Sequence, residues 1–475
     1  MTSEHIPQHG SRNLATRTLS SVVATVSLVL GVVLAATGVP AGIVRTLDGP
    51  ISALPLVDVM PAEPDRVLVC MGPGLSFGSA SFEPVAYGAA SEVVAGANPS
   101  LSNLSETTVL DGLSLEGALS NDYPVVVSQQ AADGPLAAVS YQNLSNLNVR
   151  GLAVSECQEP RTETWLVGGD TTIGRQAALS LSNPGDVPAT VSIDLWGSTG
   201  PLSSPLGQGV LVQPGARRVV SLAGLAPGES SPVVRITSTG VGVVAALHAS
   251  IVRGLEADGI SVVTGQPQPS TLRVIPGVFL APEDLLGPIK GKEGYIDVGG
   301  ALRLLAPESD SSVTVQILRS GGAPTTTRIE LVAGQVADLT LDELGGGDVA
   351  IVLEASEPIV AGIRQSVGND DATDTSWVGS AYPLVGTAAL AVPPVGESRI
   401  TFANPGQDSV AVSFDGRNLE VPAGGIVTRP TAGTHDIVAP TTVYAAVSTR
   451  SETLIGNFQV LPTPAPQESV RVIVR

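Results

Sequence analysis

The sequence predicts an all-β chain: tandem antiparallel β-sandwich modules of immunoglobulin-like type, placed behind a single N-terminal transmembrane helix. Three observations predict it. Short Val-, Ile- and Leu-rich runs alternate apolar with polar residues and are punctuated by 53 glycines and 37 prolines, the pattern of strands and tight turns. Aromatic residues make up only 3% of the 475 positions and charged residues 14%, so the cores must be built from aliphatic side chains. A strand–turn–strand phrase also recurs along the chain, and internal repeats of this size decide architecture before any local reading does.

The elements follow in order. Residues 1–18 read as a cytoplasmic N-terminus. Residues 19–39, "LSSVVATVSLVLGVVLAATGV", carry no charge and are long enough to cross a bilayer as a helix. Arg12 and Arg17 before this run orient it with the N-terminus inside. A cleaved signal peptide is the rival reading, because "LAATGVPAG" supplies small residues; the run exceeds the usual apolar region of about 7–15 residues, which favours an uncleaved signal-anchor. Everything beyond it is then extracytoplasmic, with residues 40–64 as a Pro/Gly-rich tether. In a reducing compartment Cys70 and Cys157 would be two unrelated thiols; outside the membrane they are expected to pair. Residues 65–160 therefore read as a disulfide-closed β domain.

The repeat occupies the remainder, as modules at 161–270, 271–368 and 369–475. "LSLSNPGDVPATVSIDLW" (179–196), "LRLLAPESDSSVTVQIL" (302–318) and "RITFANPGQDSVAVSFDG" (399–416) each open a unit. Each is followed by a Gly-containing hairpin and a closing alternating pair, which aligns Leu247 with Ile363 and Val447, and Ala245 with Ala361 and Ala445. Units of roughly 65–75 residues suit small sandwiches. At the corners, Pro184 and Pro405 are expected to fix φ, Gly185 and Gly406 to take the positive φ of a tight turn, and Asn183 and Asn404 to bond the nearby backbone. Trp165 and Trp377, in "ETWLVGG" and "TSWVGSA", are expected to anchor the first strand of their units in its core.

Chemistry is sparse. A net charge of −20 excludes the basic footprint that nucleic-acid binding needs. Only His248 and His435 lie beyond the anchor, HExxH and paired CxxC patterns are missing, and the GxSxG match "GLSFG" at 74–78 has no histidine near it in sequence and reads as a Gly-Pro turn after a strand. No cofactor and no metal are expected; the nearest approach to an oxygen-ligand loop for calcium is Asp370, Asp371 and Asp374 in "GNDDATDTSW". Aligning the copies puts Asp374 on Asp258, so a turn role suffices for it.

The anchor together with "WLVGGD", "LSNPGDVPATVSI", "VQPGARRVV" and "VVAALH" resembles an actinobacterial family of membrane-anchored secreted proteins catalogued only as a domain of unknown function. The resemblance implies a cell-envelope setting and brings no catalytic residues. The expected function is a non-enzymatic, membrane-anchored extracytoplasmic scaffold or binding protein, with an envelope protein or polysaccharide as partner. A polysaccharide-binding module and a hydrolase with an unrecognised carboxylate site are the alternatives.

Overall fold

The computed structural model describes residues 149–463, interrupted at 296, 342–343 and 371, and shorter stretches at 56–59, 65–77, 84–86, 92–97, 106–109, 124–130, 134–145 and 470–473. The anchor expected at 19–39 and most of the tether lie outside these residues. Among the described residues, no helix is long and apolar enough to cross a membrane.

The described chain is mostly β, in antiparallel sheets. From residue 270 onward, two long strands organise it. Gly347–Gly368 pairs along its first half with Ser270–Leu280 and Ser311–Arg319, and along its second half with Ala301–Leu305 and Thr373–Gly379. Gly433–Arg450 repeats the scheme, first with Leu384–Val392 and Val410–Phe414, then with Glu397–Asn404 and Ile455–Gln459. Each long strand thus belongs to two halves of a curled seven-stranded sheet that closes over its own aliphatic core. The crossing points, at 354–358 and 440–442, are largely exposed and contain Pro358 and Pro440, residues that cannot donate to a sheet ladder.

Between residues 163 and 264 the same order runs with the long strand cut in two. Val233–Thr239 lies between Glu163–Val167 and Ala189–Gly197, while Val244–Arg253 lies between Arg175–Asn183 and Glu256–Thr264. Gly240, at φ 94°, takes the chain from one sheet to the other.

The strand register shows why the three copies look alike. Leu247, Ile363 and Val447 sit opposite Leu179, Leu302 and Ile400; Ala245, Ala361 and Ala445 sit opposite Leu181, Leu304 and Phe402. At the alanine positions a small residue faces a large one each time, at the others two aliphatic residues meet, and none of the twelve is more than 1% exposed. Such interlocking is what fills a core without voids.

Upstream, Arg66–Cys70 pairs with Val125–Gln129, and Leu136–Ser145 pairs with Glu92–Ala97 and Arg150–Glu156. Cys70 and Cys157 form a disulfide across 87 positions of sequence. Residues Ala62–Pro466 make one compact unit. A second unit, Met1–Pro61 with Gln467–Arg475, contains the antiparallel pair Leu56–Val59 and Val470–Ile473.

Two expectations about particular residues change. Gly185 and Gly406 do not take positive φ. Glycine suits these positions because a Cβ would crowd the Oδ1 of Asn183 and Asn404 at 3.1 Å and 3.0 Å. Those oxygens accept the Gly185 and Gly406 N–H at 2.9 Å, and each Asn Nδ2 donates at 2.8 Å to the carbonyl four residues on, Val187 or Asp408. The tryptophans also differ from expectation. Trp165 lies on the first strand of its unit, yet its ring stacks on Trp196 at 5.2 Å within a cluster shared with Leu305, Val336 and Val360 of the following unit. Trp377 lies on Thr373–Gly379, which pairs with Gly347–Gly368 and so completes the second curled sheet rather than opening the third. Its ring packs among residues of the first unit, beneath the Arg303 guanidinium at 4.4 Å. Both tryptophans join units, because "ETWLVGG" and "TSWVGSA" occupy different strands of the repeat.

Candidate functional site

Four strands meet inside the compact unit: Arg150–Glu156, Glu256–Thr264, Thr373–Gly379 and Ile455–Gln459. Asp374 is at their meeting point with no exposed surface. Its carboxylate accepts backbone N–H bonds from Leu152 at 2.9 Å, Ile260 at 3.3 Å, Thr375 at 2.9 Å and Ile455 at 3.0 Å. Burial raises its pKa well above the ordinary carboxylate value, and the four backbone bonds pull the other way without cancelling it. Gly151 and Gly259 make the room: a Cβ at either would stand 2.4 Å or 3.3 Å from the Asp374 Oδ1. Glu156 does the same work nearby, accepting from Gln158 Nε2 at 2.8 Å, Thr264 Oγ1 at 2.6 Å and the Gln459 N–H at 3.1 Å. Burial raises its pKa as well.

The acidic loop singled out in the sequence is therefore split. Asp374 is committed to backbone donors. Asp370 is exposed and pairs with Lys292 Nζ at 3.3 Å, and Asp371 lies outside the described residues. Among the described residues no three His, Cys, Asp or Glu side chains are grouped as metal ligands. The alignment of Asp374 with Asp258 shifts by one: Asp374 is opposite Val367, whereas Gly259 is opposite Ile251, where a bulge begins. Asp258 instead bonds Arg253 and the Thr373 hydroxyl.

That pair opens a buried charge network between the first and second units. Arg253 also reaches Asp297, which Arg175 binds at 2.7 Å, and Arg303 pairs with Asp338 at 3.0 Å. Burial opposes the charge on Asp297 and Asp338, but the guanidiniums of Arg253 and Arg303 hold both below the ordinary carboxylate value. Arg303 adds bonds to the carbonyls of Gly169, Ser230 and Pro232, so it rivets one unit to the loops of the other. The space beside the network is about 30 Å³, enough for little more than a water molecule.

One pair has the composition of a nucleophile and a base. Ser180 Oγ lies 3.0 Å from His248 Nε2. Both are 1% exposed, His248 Nδ1 has no partner, and burial followed by the Arg217 charge depresses the imidazole pKa to about 3. A base needs an orienting group and substrate access, and this imidazole has neither; it is a neutral core residue.

A cleft of about 630 Å³ lies between the second and third units. One wall is the helix Glu283–Lys290, in the connection between Ser270–Leu280 and Ala301–Leu305. The sequence "PEDLLGPIK" supports the helix: Glu283 and Asp284 sit in the first turn and Lys290 in the last, which suits the helix dipole. Leu286 and Ile289 are buried against Val298, while Leu285 stays 54% exposed at the cleft. The opposite wall comes from Gly396–Glu397 and 450–452. On the floor, the Arg450 guanidinium covers the Phe279 ring at 4.0 Å and is held by Asp348, which also takes Arg399 at 3.3 Å. Asp284, Asp370, Glu397 and Glu452 line the rim. This helix was not among the expected elements; its acidic first turn and the apolar spacing of Leu285, Leu286 and Ile289 are the signal the sequence carries for it.

Residues 115–428 match a family of unknown function, DUF5719. A search of curated proteins found no match.

Proposed function

The chain belongs to the DUF5719 family, and from that premise we propose that it is a non-enzymatic, membrane-anchored binding scaffold of the cell envelope. In this reading, residues 19–39 form an uncleaved signal-anchor with the N-terminus in the cytoplasm, and the three repeated units are immunoglobulin-like β-sandwiches held outside the membrane. The Cys70–Cys157 disulfide supports an oxidising setting.

The observation that carries the reading is the cleft. The repeated units share strand order and core register, yet only the second inserts a helix, Glu283–Lys290, between its first two strands. That departure from the repeat builds a wall of the cleft, and insertions on repeat scaffolds concentrate on binding faces. The cleft presents a covered aromatic ring, aliphatic side chains and carboxylates, a binding surface rather than a nucleophile with its base. The polysaccharide alternative gains nothing from the aromatics: Trp165, Trp196 and Trp377 are 2%, 9% and 7% exposed.

The test is photo-crosslinking in the native host, with a benzophenone side chain at Leu285 and, as control, at exposed Leu206 on the first unit. Capture of a discrete envelope component from Leu285 but not Leu206 is the expected result. Equal capture at both sites, or none at either, overturns the binding reading, and protease protection of the C-terminal bulk in intact protoplasts overturns the topology.

A further inference from the structure

We propose that the cleft between the second and third units receives an extended peptide segment of a partner protein that carries lysine or arginine next to an aliphatic residue. The inference rests on the binding-scaffold reading and adds the chemistry of the ligand.

Charge complementarity selects the basic component. Of the charged groups lining the cleft, four are carboxylates and one is a guanidinium. The guanidinium, Arg450, pairs with Asp348, which it shares with Arg399, so that with Lys292 three cations stand against five carboxylates here. Asp370 is matched by Lys292, and Glu452 accepts from Asn369 Nδ2 at 3.1 Å. Asp284 and Glu397 are exposed on opposite walls and have no ion-pair partner among the described residues. Two uncompensated negative charges thus face one space, in a chain whose net charge of −20 repels anions and steers basic partners inward.

The aliphatic component follows from the walls. Leu285, 54% exposed, stands with Ala281, Pro288 and Val367 along the lining. A bare cation leaves that surface wet; a leucine or valine beside the basic residue covers it. A neutral sugar ring stacks on an open aromatic face, and the face of Phe279 is already occupied by Arg450. A volume of about 630 Å³ accommodates a few residues of extended chain.

The experiment uses the full-length chain in nanodiscs of uncharged lipid. Its probe is a fluorescein-labelled hexapeptide, Lys-Leu-Lys-Ala-Leu-Lys, compared with the version in which glutamine replaces every lysine. Fluorescence anisotropy should show the lysine peptide binding at least about tenfold more tightly, weakening with salt. The double variant Asp284→Asn, Glu397→Gln, with unchanged urea midpoint, should lose about tenfold in affinity for the lysine peptide. Equal binding of both peptides, an unaffected double variant, or no binding of the lysine peptide at millimolar concentration overturns the proposal. The two readings fail separately. Leu285 crosslinks that persist in the double variant keep the scaffold and discard the basic ligand. Peptide discrimination without any cellular crosslink keeps the cleft chemistry and discards the envelope role.

Discussion

At the scale of single residues, the two buried polar groups Asp374 and His248 differ in kind. Asp374 holds four backbone donors, so Asp374→Ala leaves them facing a void; each unsatisfied buried donor costs about 1–3 kcal/mol. Partial relaxation makes a total on the order of 3–5 kcal/mol the expected loss, read as a fall in urea midpoint at constant slope. His248 sets a pH dependence. Its folded pKa of about 3 is below the ordinary imidazole value of 6.5, so below 6.5 the unfolded chain takes up a proton that the folded chain refuses. Its contribution is complete above about pH 6.5 and is lost as pH falls towards 3. Denaturation from pH 7 to pH 4 should therefore cost the wild type more stability than His248→Gln, and equal losses would remove this imidazole from the account. The Asn183 and Asn404 corners were legible in sequence as local bonding sites. The reason for their glycines was not, because a contact with the asparagine's own Oδ1 leaves no mark in composition.

At the scale of elements, the long strands carry the repeat. Ala245, Ala361 and Ala445 are fully buried and each faces a large side chain. Replacing any of them with leucine overpacks the same position of the same framework. The three variants should each lose about 1–3 kcal/mol and resemble one another in thermal midpoint shift; a neutral substitution at one site would break the equivalence. Alternation and spacing made this register readable, since period-two patterning and tight turns are local properties. The assignment of Thr373–Gly379 was not readable that way. Its partner strand is chosen by hydrogen bonding to Gly347–Gly368, and a Trp-Val-Gly phrase looks the same whether it ends one unit or begins the next. The bulge at Ile251 moved the Asp374 equivalence by one residue for a related reason.

At the scale of the whole molecule, the three repeated units are interlocked rather than strung out. Arg303, Trp165 and Trp377 each bury themselves against a neighbouring unit, and such contacts between distant segments have no periodic signature. The carboxylate cluster was sought in a loop because short spacing suggests a loop, while the folded chain uses Asp374 as an interior anchor. Interlocking predicts one cooperative transition. Replacing both cysteines by serine should lower its midpoint by about 2–4 kcal/mol of stability, and near- and far-ultraviolet circular dichroism should still melt together. Separate melting of the segment around residues 65–160 would show that it folds independently.

The Glu156 carboxylate that receives the Gln459 N–H waits for a partner 303 residues further along the chain. At translation rates of about 5–20 residues per second, that partner is made roughly 15–60 s later. During this interval the early strands have their aliphatic faces made but not yet covered. Native packing around Glu156 can therefore be completed only after residue 459 has been made.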